Sequence, residues 1–312
     1  MNIIEDDLNV DVIGFGALNL DKIFNVEDIA KEDGESFILS SKESPGGSAS
    51  NTIIGLSNLG VQTSYIGKIA EDIDGETLEL NLSANGVYTN NLIFSEEGKT
   101  GTALVFVASN GDRAIYLDPG VNNNISSSEI NFNIINRCKI LHYSSFVGDE
   151  SFTSQKELLK KLNDDIILSF DPGMIYVKKG FESIKPILNR TNILLINENE
   201  LKILFNDSTR DLESLAIKLL NEGIETIVVK RGSLGVFAIN KNEKVSKEVF
   251  DVNVVDTTGA GDAFNSGFLY SYLKGFSLEE SCVLGNWVSS KYIEHSGNIG
   301  FPSKEDIENF KK

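Results

Sequence analysis

The residues with the most concentrated chemical potential lie in Asp256-Thr257-Thr258-Gly259-Ala260-Gly261-Asp262-Ala263-Phe264. Gly259, Ala260 and Gly261 are small enough for backbone N–H groups to converge, and a helix opening there adds the positive end of its dipole. Such a pocket suits the negative oxygens of a phosphoryl group. Asp262 falls in the first turn of that helix, where the dipole stabilises its charge. The same pattern also reads as an ordinary helix start with a tight glycine turn before it. Three further clusters combine small or polar residues at an element boundary: Ser44-Pro45-Gly46-Gly47-Ser48-Ala49-Ser50-Asn51, Asn197-Glu198-Asn199-Glu200 and Val229-Lys230-Arg231-Gly232-Ser233-Leu234-Gly235.

Positioning these clusters requires a frame, and the apolar patterning supplies one. Ile166-Ile167-Leu168-Ser169-Phe170, Asn192-Ile193-Leu194-Leu195-Ile196 and Thr226-Ile227-Val228-Val229 are nearly continuous apolar runs, as expected of strands covered on both faces. Helical stretches lie between them: in Ser208–Glu222, Leu212, Leu215, Ala216 and Leu219 recur at three- and four-residue spacing. This alternation predicts a doubly wound α/β core with a mostly parallel sheet and helices on both faces. Val252-Asn253-Val254-Val255 reads as a strand leading into the glycine turn, followed by a helix whose packed face carries Ala263, Gly267 and Tyr270. The Ser44–Asn51 cluster precedes a helix bearing Ala49, Ile53 and Leu56 and ending at Leu59-Gly60.

Two segments break the rhythm. Residues 21–44 read as short strands without an intervening helix, and residues 101–117 as a hairpin turning at Asn110-Gly111. Together they predict a small antiparallel sheet projecting from the core as a lid. Residues 1–312 are expected to form one functional unit, since no repeat, low-complexity tract or long linker interrupts them.

Composition narrows the partners. Lys+Arg 28 against Asp+Glu 46 leaves −18, a surface that repels phosphate backbones and anionic lipid, so neither nucleic acid nor membrane is an expected partner. A phosphorylated ligand therefore needs a local trap rather than a basic face. Cys138 and Cys282 are far apart and in no metal-binding spacing, and only His142 and His295 represent histidine, which argues for a reducing cytoplasm and against a histidine metal centre. The acidic first residues lack the basic region of a signal peptide, and no apolar run approaches the roughly 20 residues that span a bilayer.

Taken with Asn265, Ser266 and Gly267, the Asp256 stretch closely resembles the C-terminal signature of the ribokinase-like, or PfkB, carbohydrate kinases, and Ser44–Asn51 resembles their N-terminal signature. Asn197–Glu200 is similar to the family's Asn-x-x-Glu motif, and Val229–Gly235 to its nucleotide-side glycine loop. The resemblance implies transfer of the ATP γ-phosphoryl group to a hydroxymethyl of a small sugar, with Mg²⁺ as cofactor. A nucleoside acceptor in the same family is the alternative, and a catalytically silent sugar or nucleotide sensor is the reading from another class. Carried over residue by residue, Asp262 matches the catalytic base and Gly259, Ala260 and Gly261 the anion hole. Asn19, Asp21, Gly46, Gly47 and Asn51 match groups around the acceptor. Asn197 and Glu200 match residues that organise Mg²⁺ through water. Lys230, Gly232, Gly235 and Asn286 match the surroundings of the nucleotide. Asp256 and Thr258 match half of a monovalent-cation loop that would take K⁺. A homodimer pairing through the lids is expected, because a small sheet with one apolar face needs cover.

Two stretches depart from the sugar-kinase pattern. Phe170-Asp171-Pro172-Gly173-Met174-Ile175-Tyr176 stands where many family members have Asp-x-Asn-x-Arg, and it resembles archaeal nucleoside kinases. The segment Glu294–Pro302 fits the ribokinase end loosely, which leaves K⁺ activation open. Phe24, Phe37 and Phe106 fall on the expected lid strands, either lining a slot for a base or forming the lid's own core. His142 is expected to be a partly buried structural residue, and Arg231 either a phosphate contact or a solvated side chain. An aspartate of ordinary pKa, ~4, would be a weak base for an alcohol at neutral pH.

Overall fold

The apolar runs form strands whose side chains alternate between two separate cores. The computed structural model describes residues 10–207, 209–297 and 300–310. The acidic start of the chain, Ser208 at the expected helix start, and Asn298 and Ile299 of the C-terminal segment lie outside the described residues. On one side of the main sheet Leu194, Ile196, Ile227 and Val229 pack with Leu201, Leu215 and Leu219; on the other Ile193, Leu195 and Val228 pack with Ile53, Phe268 and Val288. A strand buried on both faces has no polar side, which is why these runs lack alternation.

Among the described residues the strands are β1 (Val12–Phe15), β2 (Asn19–Val26), β3 (Ile38–Gly46), β4 (Thr63–Ala70), β5 (Leu92–Ser95), β6 (Gly101–Ala108), β7 (Arg113–Asp118), β8 (Ile140–Tyr143), β9 (Ile167–Phe170), β10 (Ile193–Asn197), β11 (Thr226–Lys230), β12 (Val236–Asn240) and β13 (Lys244–Lys247). The helices are α1 (Ser48–Asn58), α2 (Ile73–Ala84), α3 (Phe132–Ile135), α4 (Asp149–Leu159), α5 (Gly173–Lys178), α6 (Phe181–Leu188), α7 (Glu198–Leu204), α8 (Leu212–Asn221), α9 (Ala260–Leu273), α10 (Leu278–Tyr292) and α11 (Lys304–Phe310). The main sheet has the order β13-β12-β11-β10-β9-β8-β1-β4-β5, parallel from β5 to β11 and antiparallel at the β11-β12-β13 edge. Among the described residues no helix is long and apolar enough to cross a membrane.

The second sheet, β3-β2-β6-β7, corrects several expectations. It is mixed rather than antiparallel, since β2 and β6 run parallel while β2/β3 and β6/β7 are antiparallel. Both central strands start at the core, at Asn19 and Gly101, and point away from it together. β2 begins before residue 21, β3 continues past Ser44 to Gly46, and β7 reaches Asp118. The turn at Asn110-Gly111 spans Ser109–Asp112, closed by Asn110 Oδ1 accepting from the Asp112 N–H, with Gly111 at φ 89°. α8 starts at Leu212, capped by Asp211. Residues 252–255 do not form a strand: Val255 lies at a bend, and its N–H bonds to the Ile293 carbonyl at the end of α10.

Strand register assigns the faces of the small sheet. Asn19, Asp21 and Ile23 share one face with Gly46, Lys42, Gly101, Ala103, Val105, Ile115 and Leu117, and Phe24 shares the other with Phe106 and Tyr116. Lys42 Nζ donates to Ser296 Oγ at 3.3 Å, which turns the Asp21 face toward the glycine turn before α9. Phe24 and Phe106 stack at 5.2 Å and Phe106 meets Tyr116 edge-on at 6.0 Å, so the three form an outer-face cluster, away from Asp21. Phe37 precedes β3 and is largely exposed.

Candidate active site

The parallel strands end at one rim of the sheet, where the open α/β architecture places ligand sites. Asp171 follows β9, Asn197 closes β10 and Lys230 closes β11; Asn197 and Lys230 are register partners. The first turn of α9 brings Ala260, Gly261 and Asp262 to the same rim. These residues line a cavity of about 700 Å³ that also takes in Glu200, Gly232, Gly235 and Asn286. Val249, Phe250, Val252, Val254 and Ile293 give it an apolar wall.

Asp262 is held by α1. Ser48 Oγ donates to its Oδ1 at 2.6 Å and Asn51 Nδ2 to its Oδ2 at 2.9 Å. Burial raises its pKa to about 7, the Ser48 and Asn51 hydrogen bonds only partly offsetting it. The carboxylate is therefore not the ordinary acid that its residue type suggests. Gly259 caps α9 in the left-handed region, φ 80°, and a Cβ there would lie 2.7 Å from the Tyr292 hydroxyl. In that turn the Ala260 N–H bonds to the Thr257 carbonyl at 3.2 Å, and Gly261 brings the N-terminus of α9 to the cavity.

Asn197 and Glu200 form a capping box at the start of α7: Asn197 Oδ1 accepts the Glu200 N–H at 2.8 Å and Glu200 Oε2 the Asn197 N–H at 3.0 Å. Burial, with Asp171 nearby, raises the pKa of Glu200. Lys230 Nζ donates to Asp171 Oδ2 at 2.7 Å and Asn265 Oδ1 at 3.1 Å. Burial opposes charge on both members, yet their attraction prevails: Asp171 lies below and Lys230 above the ordinary value. Gly235, at φ 81°, would drive a Cβ into the Lys247 carbonyl at 1.9 Å, and Asn286 Nδ2 donates to the Glu248 carbonyl at 2.8 Å, tying α10 to the apolar wall.

Asn19, Asp21, Gly46, Gly47 and Asn51 do not line that cavity; they cluster beside it, where β2 and β3 meet the start of α1. Gly46 leaves room for Asp21, whose Oδ2 would be 2.6 Å from a Cβ on it, and burial pushes Asp21 up to about 6. Asp256 and Thr258 stand at the outer edge of the glycine turn, with Asp256 Oδ1 accepting the Thr258 N–H at 2.9 Å.

Sequence reasoning missed the role of Ser48, although it lies inside the quoted signature, and treated Asp171 only as a departure from a pattern. Asn265, buried in the second turn of α9, carried no signal beyond its place in the motif. Val252–Val255 reads as a strand, whereas Val252 and Val254, with Val249 and Phe250 before them, serve as a wall. His142 is fully buried, with Nδ1 3.0 Å from Ser169 Oγ, so it is interior rather than substrate-facing. Arg231 turns away to Glu198, its Nε 3.1 Å from Oε2.

The sequence profile of the pfkB family carbohydrate kinases matches residues 10–305. The chain belongs to that family. A PfkB chain is a kinase, so this protein is a phosphotransferase. It is 40% identical over 257 residues to an uncharacterized sugar kinase of Archaeoglobus fulgidus, covering 81% of this chain and all of the relative. A nucleoside kinase of Methanocaldococcus jannaschii is 28% identical over 284 residues, 90% of each chain. Among solved structures, a ribokinase of Thermotoga maritima superposes with a TM-score of 0.84 at 26% identity, covering 97% of this PfkB chain and 99% of that one.

Proposed function

We propose that this kinase transfers the γ-phosphoryl group of ATP to the primary hydroxyl of a small sugar of the ribose or fructose kind. The observation that carries the reading is the junction at Asp262. One carboxylate, held by Ser48 and Asn51, separates the 700 Å³ cavity from the Asn19–Asp21 cluster and sits at the N-terminus of α9. A phosphoryl donor on one side and an acceptor hydroxyl on the other would meet there.

In this reading Asn19, Asp21, Gly46, Gly47 and Asn51 hold the acceptor, and Asp262 orients its hydroxyl and takes the proton. A pKa near 7 makes that proton transfer easier than for an ordinary carboxylate. The amides of Gly259, Ala260 and Gly261 face the charge that develops on the transferred oxygens. Lys230, Gly232, Gly235 and Asn286 surround the nucleotide, whose base lies against the apolar wall. Among the described residues no three acidic, histidine or cysteine side chains group as a metal cage. That fits Mg²⁺, which is usually held by few protein carboxylates plus phosphates and water. Asn197 and Glu200 would hold it through water, and the ion supplies charge neutralisation on the phosphates. K⁺ beside Asp256 and Thr258 belongs to the same proposal, and no step depends on it.

A nucleoside acceptor is the second reading. Beyond Asp21 the inward face of the small sheet carries Ile23, Val105, Ile115 and Leu117 beside Lys42, and its aliphatic part suits a base better than sugar hydroxyls. Purified protein tested with ribose, fructose, adenosine, inosine and cytidine under one ATP and Mg²⁺ condition is expected to show the highest kcat/KM for a sugar. A nucleoside ahead by more than a factor of ten, about 1.4 kcal/mol, would overturn the sugar assignment and leave the kinase reading standing. No ADP formation with any acceptor would favour the sensor.

The small sheet acts as a lid, one unit with the core across residues 1–312, and pairs with the lid of a second copy. Ile38 and Leu39 on β3 and Tyr116 on β7 are exposed, apolar side chains that a second lid would cover. Sedimentation is expected to show a dimer that Tyr116→Lys dissociates; a monomer at every concentration would sink the pairing. Cys138 and Cys282 are buried free thiols, in keeping with a cytoplasmic location.

A further inference from the structure

The cavity presents an electrostatic problem to a polyphosphate. Asp171, Glu200, Asp251 and Asp262 line it, and among the described residues Lys230 is its one lining lysine or arginine. A lone ammonium on a flexible four-carbon stem is a poor fixed charge unless something aims it.

Lys230 is aimed from two sides. Nζ donates to Asp171 Oδ2 at 2.7 Å and to Asn265 Oδ1 at 3.1 Å. Asn265 Nδ2 donates to the same Asp171 oxygen at 2.8 Å, closing a three-membered ring of contacts. Asp171 is itself pinned: Oδ1 accepts the Gly173 N–H at 3.2 Å, and its own N–H bonds to the Tyr143 carbonyl. Asn265 is fully buried on α9 and Asp171 nearly so. The ammonium lies against the first turn of α9, where a Cβ on Gly261 would stand 3.3 Å from it. Two of its three donors are used in this ring, and the third is left for a ligand above Gly261.

We propose that Asp171 and Asn265 are positioning residues that fix the Lys230 ammonium beside Gly261, so that it completes the α9 anion hole for the transferred phosphoryl group. This rests on the kinase reading above and adds to it a function for Asp171. The ring joins β9, β11 and α9, so the charge is set by the sheet and the helix together and not by the glycine loop after β11. A buried pair of this kind adds little net stability, whereas a fixed charge that needs no reorganisation favours a transition state.

A double-mutant cycle tests it, read as kcat and KM for ATP on folded protein checked by circular dichroism. Lys230→Met is expected to lower kcat about 10²-fold, the size of losing one preorganised charge, and Asp171→Asn at least ~10-fold, with KM for ATP within ~3-fold. Asp171→Asn combined with Lys230→Met is expected to match Lys230→Met alone within ~3-fold, because without the lysine there is nothing to aim. Asn265→Ala, which keeps the ion pair but frees its orientation, is expected to lower kcat ~3- to 10-fold and serves if Asp171→Asn does not fold. Losses that multiply in the double variant overturn the proposal, as does an Asp171→Asn or Asn265→Ala enzyme with wild-type kcat. An inactive wild type would instead fail the kinase reading itself.

Discussion

Replacing Asp262 by Asn is expected to lower kcat at least ~10²-fold while KM for ATP moves less than ~3-fold. The exchange keeps size and polarity and removes only the proton acceptor, and the apolar wall and the glycine loop that would hold the nucleotide do not involve this side chain. Rates within a few-fold of wild type would end the assignment of Asp262 as base. The pKa near 7 adds a second readout, since burial disfavours the ionised form. Below pH 7 the carboxyl is protonated and cannot accept a proton, so wild-type kcat should fall as pH drops through 7. The stability effect runs the other way. An unfolded aspartate ionises near 3.8 and the folded one near 7, so the native state holds the extra proton between those values. The contribution of Asp262 to wild-type stability is therefore fully present below about pH 4, declines as pH rises from about 4 to about 7, and is lost above it. The difference in Tm between Asp262→Asn and wild type should move in favour of the variant across that window. A difference that does not change with pH would remove the raised pKa from the account.

Gly47→Ala is expected to cost about 2–5 kcal/mol of stability and ~10²-fold in kcat, an unusual penalty for a single methyl group. Gly47 has φ 115° and ψ 124°, a region closed to side chains, and a Cβ would sit 2.3 Å from the Ala17 carbonyl oxygen. The neighbour is backbone at the exit of β1, so no rotamer change relieves the contact. The residue caps α1, and the first turn of α1 presents Ser48 and Asn51 to Asp262. Any shift that accommodates the methyl moves both partners of the base. Denaturant unfolding and steady-state kinetics on the folded fraction check the two effects separately. A variant with wild-type stability and rate would show that this turn does not set the geometry of Asp262.

Much of this was written locally. Runs such as Ile193–Ile196 demand cover on both faces, so the layered sheet follows from them, and the glycine turn before α9 is dictated by residues that tolerate a left-handed backbone. The small sheet was legible as strands, but its strand directions were not. Whether β2 and β6 run parallel depends on where each leaves the core, which no stretch of eight residues contains. Face assignment stayed open for the same reason: Phe24 and Phe106 are apolar on lid strands, and only register and the Lys42–Ser296 contact show that they point away from Asp21. The chemistry of the site divides in the same way. Residue type placed a carboxylate at position 262 with an ordinary acidity. Burial among α1 and α9, decided by parts of the chain more than 200 residues apart, raised its pKa to about 7. Likewise Asp171, Lys230 and Asn265 lie in three separate segments with nothing in their spacing to join them. They meet because parallel strands deliver their ends to one rim, where a helix start closes over them. Desolvation and aim are properties of surroundings, so they came with the tertiary structure alone.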